Sequence, residues 1–192
     1  MKNKIIFFSI DRLGDYLIRS NVIDKISKNY KFKEIVCSEK NYKLIKTQAN
    51  FNIINLFNTN NSFINKFIYF FKFFLAKYDS VIVFDGKGIS NLLLFTIKAK
   101  FKFTFIYKKK GPLKNIFFIF KKIILRKFNI KFCVLYSKDY INLKYKDHYP
   151  TKYKVLKKYY KNIDHKTYYI DEKNILNHDN NLKNYILIHL DE

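Results

Sequence analysis

Within five residues near the start of the chain, Asp11-Arg12-Leu13-Gly14-Asp15 gathers two carboxylates and a guanidinium. A carboxylate in such a place can take the proton of a hydroxyl as that hydroxyl attacks an electrophilic carbon, provided it lies within hydrogen-bond reach. Arginine is informative here because the default cation is lysine: the only arginines are Arg12, Arg19 and Arg126, and two of the three lie in or just after this run. Arg is favoured over Lys where a planar, forked donor must hold a carboxylate or phosphate. A second place is at Gly86 and Gly88, after the fourth apolar run. Of the four glycines in the chain, Gly14, Gly86 and Gly88 fall in these two places. Glycine lets backbone approach a ligand closely and permits positive φ, although tight turns use it for the same reason. Taken alone, Asp15 reads equally well as a helix cap and Arg12 as a surface charge. There is no GxGxxG after the first apolar run and no GxxxxGK[ST] anywhere, so neither a standard dinucleotide site nor a P-loop is supported.

The elements that must position these residues alternate in type. Apolar runs of strand length occur at residues 5–10, 32–37, 53–57, 81–84, 102–107 and 132–136. Helical periodicity appears between them at 16–30, 39–49, 62–77, 89–98 and 113–127, and again at 148–161, where Tyr153, Leu156 and Tyr160 share one side. Parallel neighbours need crossovers of this length, so the pattern predicts an α/β fold: a doubly wound, Rossmann-like parallel sheet with helices on both faces. In such a sheet the first and fourth strands commonly flank the point where connections leave in opposite directions, opening a crevice at their carboxyl ends. The loops bearing Gly14 and Gly86-Gly88 would face each other there. Residues 1–161 form the expected domain. Residues 162–184 are polar and read as a linker, and the apolar run at 185–190, within the terminal segment 185–192, reads as the first strand of a further domain.

Composition narrows the classes. A chain of 192 residues, 48% hydrophobic and 19% aromatic, can bury one substantial core. Its formal charge of +23 is nearly all Lys, spread along the chain with abundant Asn, Ile, Phe and Tyr, which reads as a general compositional drift. Nucleic acid is therefore not the expected partner, whereas an anionic lipid surface stays open. Cys37 and Cys133 lie in apolar runs without CxxC spacing and read as buried free thiols of a cytoplasmic protein, bound to no metal. No secretion signal is visible, and lysines interrupt the apolar stretches 63–75 and 116–130, so neither is expected to span a bilayer. Phe63, Phe67, Phe70, Phe71 and Phe74 read as core, while Phe117, Phe118 and Phe120 beside Lys121 and Lys122 could dock on anionic lipid.

The opening of the chain, residues 5–17 with Asp11-Arg12-Leu13-Gly14-Asp15 between apolar run and helix, resembles that of family 9 glycosyltransferases, the bacterial lipopolysaccharide heptosyltransferases. Glu39-Lys40-Asn41, Lys77-Tyr78-Asp79, Asp85-Gly86, His148 and the run from Tyr185 to His189 agree in order and type. The resemblance implies two Rossmann-like domains in the GT-B arrangement and inverting transfer of a sugar from a nucleotide-sugar donor, ADP-heptose being one candidate. The acceptor it implies is a lipopolysaccharide-type, lipid-anchored glycan at the inner face of the cytoplasmic membrane, and no metal or other cofactor is required. It makes Asp15 the general base, with Arg12 orienting it or touching the acceptor, and Gly14, Asp85, Gly86 and Gly88 lining the acceptor side. Donor contacts would belong mostly to the further domain, with His189 at their edge or simply ending its strand. The other class the residues allow is a basic module of the same fold that holds an acidic glycan or RNA without turnover.

Overall fold

In a computed structural model of the chain, the described residues are 2–10, 13–47, 51–55, 63–108, 111–136, 156 and 158–160. They form, in order, β1 (Lys2–Ser9), α1 (Leu13–Ser27), β2 (Tyr30–Cys37), α2 (Glu39–Thr47), β3 (Asn52–Asn55), α3 (Phe63–Leu75), β4 (Lys77–Val83), α4 (Gly88–Thr96), β5 (Lys98–Lys108), α5 (Pro112–Lys127) and β6 (Lys131–Tyr136). The strands make one sheet in the order β3-β2-β1-β4-β5-β6. Every pairing is parallel. This is the doubly wound, Rossmann-like fold that the alternation predicts.

Both faces of the sheet are covered, which is why its central strands read as unbroken apolar runs. On one face α1 and α2 cover Ile5, Phe7, Ile35, Ile82 and Phe84. Phe7, Phe84 and Phe105 run across β1, the end of β4 and β5 there, with successive rings stacked 6.1 Å apart. Leu156 and Tyr160 close the β5 side of this face: both are buried, and the Tyr160 hydroxyl lies 3.2 Å from that of Tyr30. On the other face α3, α4 and α5 cover Ile6, Phe8, Val81, Val83 and Ile106 through Phe73, Leu93, Leu94, Phe118 and Leu125.

The element boundaries follow local chemistry. α5 starts with Pro112 after Gly111, whose φ of 124° suits glycine, and it ends at Asn129 with φ 53°. There Asn129 N–H donates to Arg126 O at 2.9 Å and Ile130 N–H to Leu125 O at 2.8 Å, a Schellman ending that satisfies carbonyls of the last turn. β4 begins at Lys77, four residues before the apolar run that marks it in sequence, because Tyr78 and Ser80 alternate inward with Lys77 and Asp79. Neither cysteine is in a disulfide; Cys37 is buried as expected but Cys133 only half-buried, and burial pushes the Cys37 thiol up to about 12.

Two sequence-based expectations need correction. In α3, Phe73 is the fully buried ring and Phe70 is half-buried, whereas Phe67, Phe71 and Phe74 are exposed. The apolar stripe of the helix, with Phe67, Phe71 and Phe74, is its outer side, so periodicity pointed away from the inner face held by Phe73. The side chain of Phe63 lies outside the described residues. In α5, Phe118 faces the sheet rather than an interface, with the Lys122 ammonium over its ring at 5.6 Å. The 162–184 linker and the 185–192 strand lie outside the described residues, as does the 148–161 helix apart from residues 156 and 158–160.

The two faces of α3 should separate cleanly in denaturation. Phe73→Ala is expected to cost about 3–5 kcal/mol, and Phe71→Ala less than about 1 kcal/mol, read as the difference in unfolding free energy in urea.

Candidate functional site

β1 pairs with β2 on one side and β4 on the other, up to Phe8 opposite Val83. The chain leaves β1 into α1 on one face and leaves β4 into α4 on the opposite face. The carboxyl ends of these two strands are therefore the topological switch point, where a doubly wound sheet opens its ligand crevice. Gly14, Asp15, Asp85, Gly86 and Gly88 converge on this end. Asp11, Arg12 and His189 lie outside the described residues.

The two loops are bolted together through Asp85. Its carboxylate is buried, 6% exposed, and accepts hydrogen bonds from Ile10 N–H at 3.3 Å, Lys87 N–H at 2.8 Å and Ser90 Oγ at 2.9 Å. The bond to Lys87 closes an Asx turn, and the bond to Ile10 crosses from β4 to β1. Lys87 returns the tie, its Nζ donating to Ile10 O at 2.9 Å. Lys121 of α5 sits in the same field. Burial lowers the pKa of its ammonium, and the Asp85 carboxylate pulls in the opposite direction. Asp85 thus spends its oxygens on the protein, and its part at the crevice is to position Ile10 and the turn at 86–88.

Gly86 and Gly88 differ in kind. Gly86 has φ +63°, and a Cβ there would sit 2.7 Å from the Phe105 carbonyl and 2.9 Å from the Tyr107 ring. Asn91 holds the same turn from α4, donating to Gly86 O at 3.0 Å and Lys87 O at 2.8 Å while accepting from Thr104 Oγ1 at 2.7 Å. A Cβ on Gly88 would meet nothing within 4 Å, so packing does not require glycine there.

Across the crevice α1 begins at Leu13, three residues earlier than periodicity predicts. Gly14 and Asp15 are therefore helical rather than part of the loop. First-turn N–H groups have no partner within the helix, so glycine is cheap there and an acidic residue complements the positive end of the helix. Asp15 is half-exposed. Its turn is fixed by Arg19, which is only 1% exposed. Arg19 Nε donates to Asp15 O at 2.7 Å and Nη1 to Ser9 Oγ at 3.4 Å, and the guanidinium lies 5.7 Å from the Phe84 ring centroid. Scarcity correctly marks Arg19 as a geometric requirement, but its fork clamps helix to strand inside the protein instead of facing a ligand. Asn41, fully buried at the start of α2, completes the anchorage by donating to Ser9 O at 3.1 Å.

Ser9, Asn41, Lys87, Ser90 and Asn91 were not singled out from sequence as parts of this framework. A usable signal existed for Ser90-Asn91, a polar pair inside the apolar run of α4 that must find partners if buried. A groove of about 470 Å³ lies elsewhere. It lies where β5 starts, at the opposite end of the sheet, and is lined by Lys98, Lys100 and Lys102 with Phe95 and Phe128. Lys100 is engaged there with Asp79 at 2.9 Å, and nothing connects the groove to the switch point. Among the described residues no group of His, Cys, Asp and Glu could hold a metal ion. Compared with protein-family models, curated proteins and solved structures, the chain matches none.

The two glycines provide a test. Gly86→Ala is expected to destabilise the fold by at least about 2 kcal/mol through strained φ and contact with the Phe105 carbonyl. Gly88→Ala should stay within about 0.5 kcal/mol of the parent, both read from thermal and urea unfolding.

Proposed function

We propose that this chain is the acceptor-side domain of an inverting, metal-independent glycosyltransferase of the heptosyltransferase type. It would move a sugar from a nucleotide-sugar donor to a lipopolysaccharide-type, lipid-anchored glycan, working as a peripheral protein at the cytoplasmic face of the membrane. The observation that carries the reading is the placement of Asp15: a half-exposed carboxylate in the first turn of α1, at the carboxyl end of β1, on a helix end clamped to the sheet by Arg19.

In the proposed step the Asp15 carboxylate accepts the proton of an acceptor hydroxyl while that oxygen forms a bond to the anomeric carbon. The bond from the anomeric carbon to the donor phosphate breaks, and the nucleotide diphosphate leaves with the electron pair. Attack from the face opposite the leaving group inverts the anomeric centre. Gly14, next to the base in sequence, brings no side chain to that turn. Gly88, which no packing demand explains, leaves room on the opposite rim. Asp85 and Gly86 hold that rim in place. Arg12 would orient Asp15 or meet acidic groups of the acceptor, and His189 would stand at the donor side.

A transfer assay on the protein in its natural full-length form, with ADP-heptose and other nucleotide-sugar donors and a deacylated lipopolysaccharide core as acceptor, tests the assignment. Asp15→Asn is expected to lower turnover by about 10³-fold with unchanged melting and acceptor binding. Turnover kept near the parent level removes Asp15 from the role. Acceptor binding without turnover for every donor favours the non-catalytic glycan-binding class instead.

A further inference from the structure

Lysine is spread evenly along the chain, but acid is not. Residues 40–78 contain no Asp or Glu, and neither do residues 86–138. These segments supply α3, α4 and α5, the three helices that share one face of the sheet. That helical layer is acid-free, whereas α1 and α2 on the other face carry Asp15, Asp24 and Glu39.

The outward side of the layer is also apolar. In α5, Leu113, Ile116, Phe117, Phe120 and Ile123 are all exposed, with Phe117 at 73% and Phe120 at 61%. Their spacing follows the 3.6-residue period, so they form a stripe on the side opposite buried Phe118 and Leu125. α3 repeats the arrangement: Phe67, Ile68, Phe71, Phe74 and Leu75 face out on the side away from Phe73. Ile89 and Leu92 of α4 are exposed between them in sequence. Lys72, Lys114, Arg126 and Lys127 are exposed on the same helices. A surface helix normally turns its polar side to water, and an apolar outer stripe on two helices of one layer marks an interaction surface.

We propose that the α3–α4–α5 layer docks flat on an anionic lipid bilayer. The chemistry selects this partner. Exposed Phe, Ile and Leu enter the boundary between headgroups and acyl chains, while Lys and Arg stems lie along that boundary and carry their charges to lipid phosphates. A second copy of the chain would bring two acid-free cationic faces together, which like charge opposes. RNA would meet phenylalanine and leucine where it needs cations. No helix among the described residues is long and apolar enough to cross a membrane, which fits insertion from one side. In a parallel sheet every crossover helix starts at the carboxyl ends of the strands, so the amino-terminal turns of α4 and α5, with Ile89, Leu113 and Ile116, share the end of the molecule that carries Asp15. Docking would place the switch-point crevice beside the lipid surface. The surface itself rests on its own residues, and only its use in delivering a lipid-anchored acceptor rests on the transfer reading.

Flotation of the full chain with vesicles at low salt tests the surface without any sugar donor, so its result is separable from that of the transfer assay. The chain is expected to float with phosphatidylcholine vesicles containing phosphatidylglycerol and to stay behind with phosphatidylcholine alone. Phe117→Asp together with Phe120→Asp should lower partitioning by at least about tenfold, with circular dichroism and melting unchanged because both rings are exposed. Lys114→Glu with Arg126→Glu, which leaves every apolar side chain in place, should weaken binding to the anionic vesicles in the same direction. The proposal is overturned if the parent chain does not float with anionic vesicles, if it floats equally with both kinds, or if the folded double-Asp variant floats undiminished. A dimer abolished by the double-Asp variant, or retention on RNA, in the absence of vesicle binding would overturn it in favour of those partners.

Discussion

The buried carboxylate of Asp85 joins the two halves of the doubly wound sheet at the point where their connections part. A parallel sheet has strong ladders but weak ends: beyond the last paired residue, β1 and β4 have no hairpin to hold them together, and their loops leave on opposite faces. Phe84 N–H still reaches Phe8 O at 3.0 Å, one step past the strand. After that the register is carried by Ile10 N–H on Asp85 and Ile10 O on Lys87. A buried ion is expensive unless its lone pairs are satisfied and opposite charge is near, and here three donors and the Lys121 ammonium meet those conditions. The end of β1 at Ile10 and the turn at 86–88 are both hung from it.

A second clamp works at right angles to the first. Arg19 ties α1 down onto β1 through the Ser9 hydroxyl, and Asn41 ties α2 to the Ser9 carbonyl. Ser9 is therefore held by its hydroxyl and its carbonyl from two helices, and Ile10 by both of its backbone groups from the β4 loop. The chain immediately before Asp11 has little freedom left. Pre-organisation of that kind is what a general base needs, because a carboxylate displaced by an ångström loses its proton-transfer geometry. The position of Asp15 thus depends on the buried residues Ser9, Ile10 and Arg19.

Much of this was legible before the structure, and the parts that were not have physical reasons. Continuous apolar runs in β1 and β4 mark buried parallel strands, and their alternation with helical periods is enough to give the fold. The clustering of Gly14, Gly86 and Gly88 located the switch point because glycine is scarce in this composition, so its retention carries weight. Roles within the site were harder to read. Gly86 and Gly88 look alike in sequence, yet one is held by its φ and by Phe105 and the other by nothing in the fold. Asp85 and Asp15 are both carboxylates after a strand, and only burial separates a structural tie from an accessible group. Arg19 was conspicuous, but sequence could not tell whether its fork faced inward. The inner face of α3 was lost for a different reason, since the helix carries its apolar stripe of Phe67, Phe71 and Phe74 on the outward side.

That loss is itself informative. A helix buried on one side and apolar on the other violates the usual division of a surface helix, and α3 and α5 do so in the same layer, whose three helices carry no acid. Compositional drift toward Lys and Phe would place such residues on both faces alike, yet α1 retains Asp15 and Asp24 and α2 retains Glu39. The asymmetry therefore belongs to the fold rather than to the composition. It divides the molecule into a face whose helices keep charges of both signs and a face whose helices are apolar outward and carry only positive charge, and both helical layers start from the carboxyl ends of the strands. A site that must accept a substrate anchored in lipid while keeping its base in water has reason to lie at those ends.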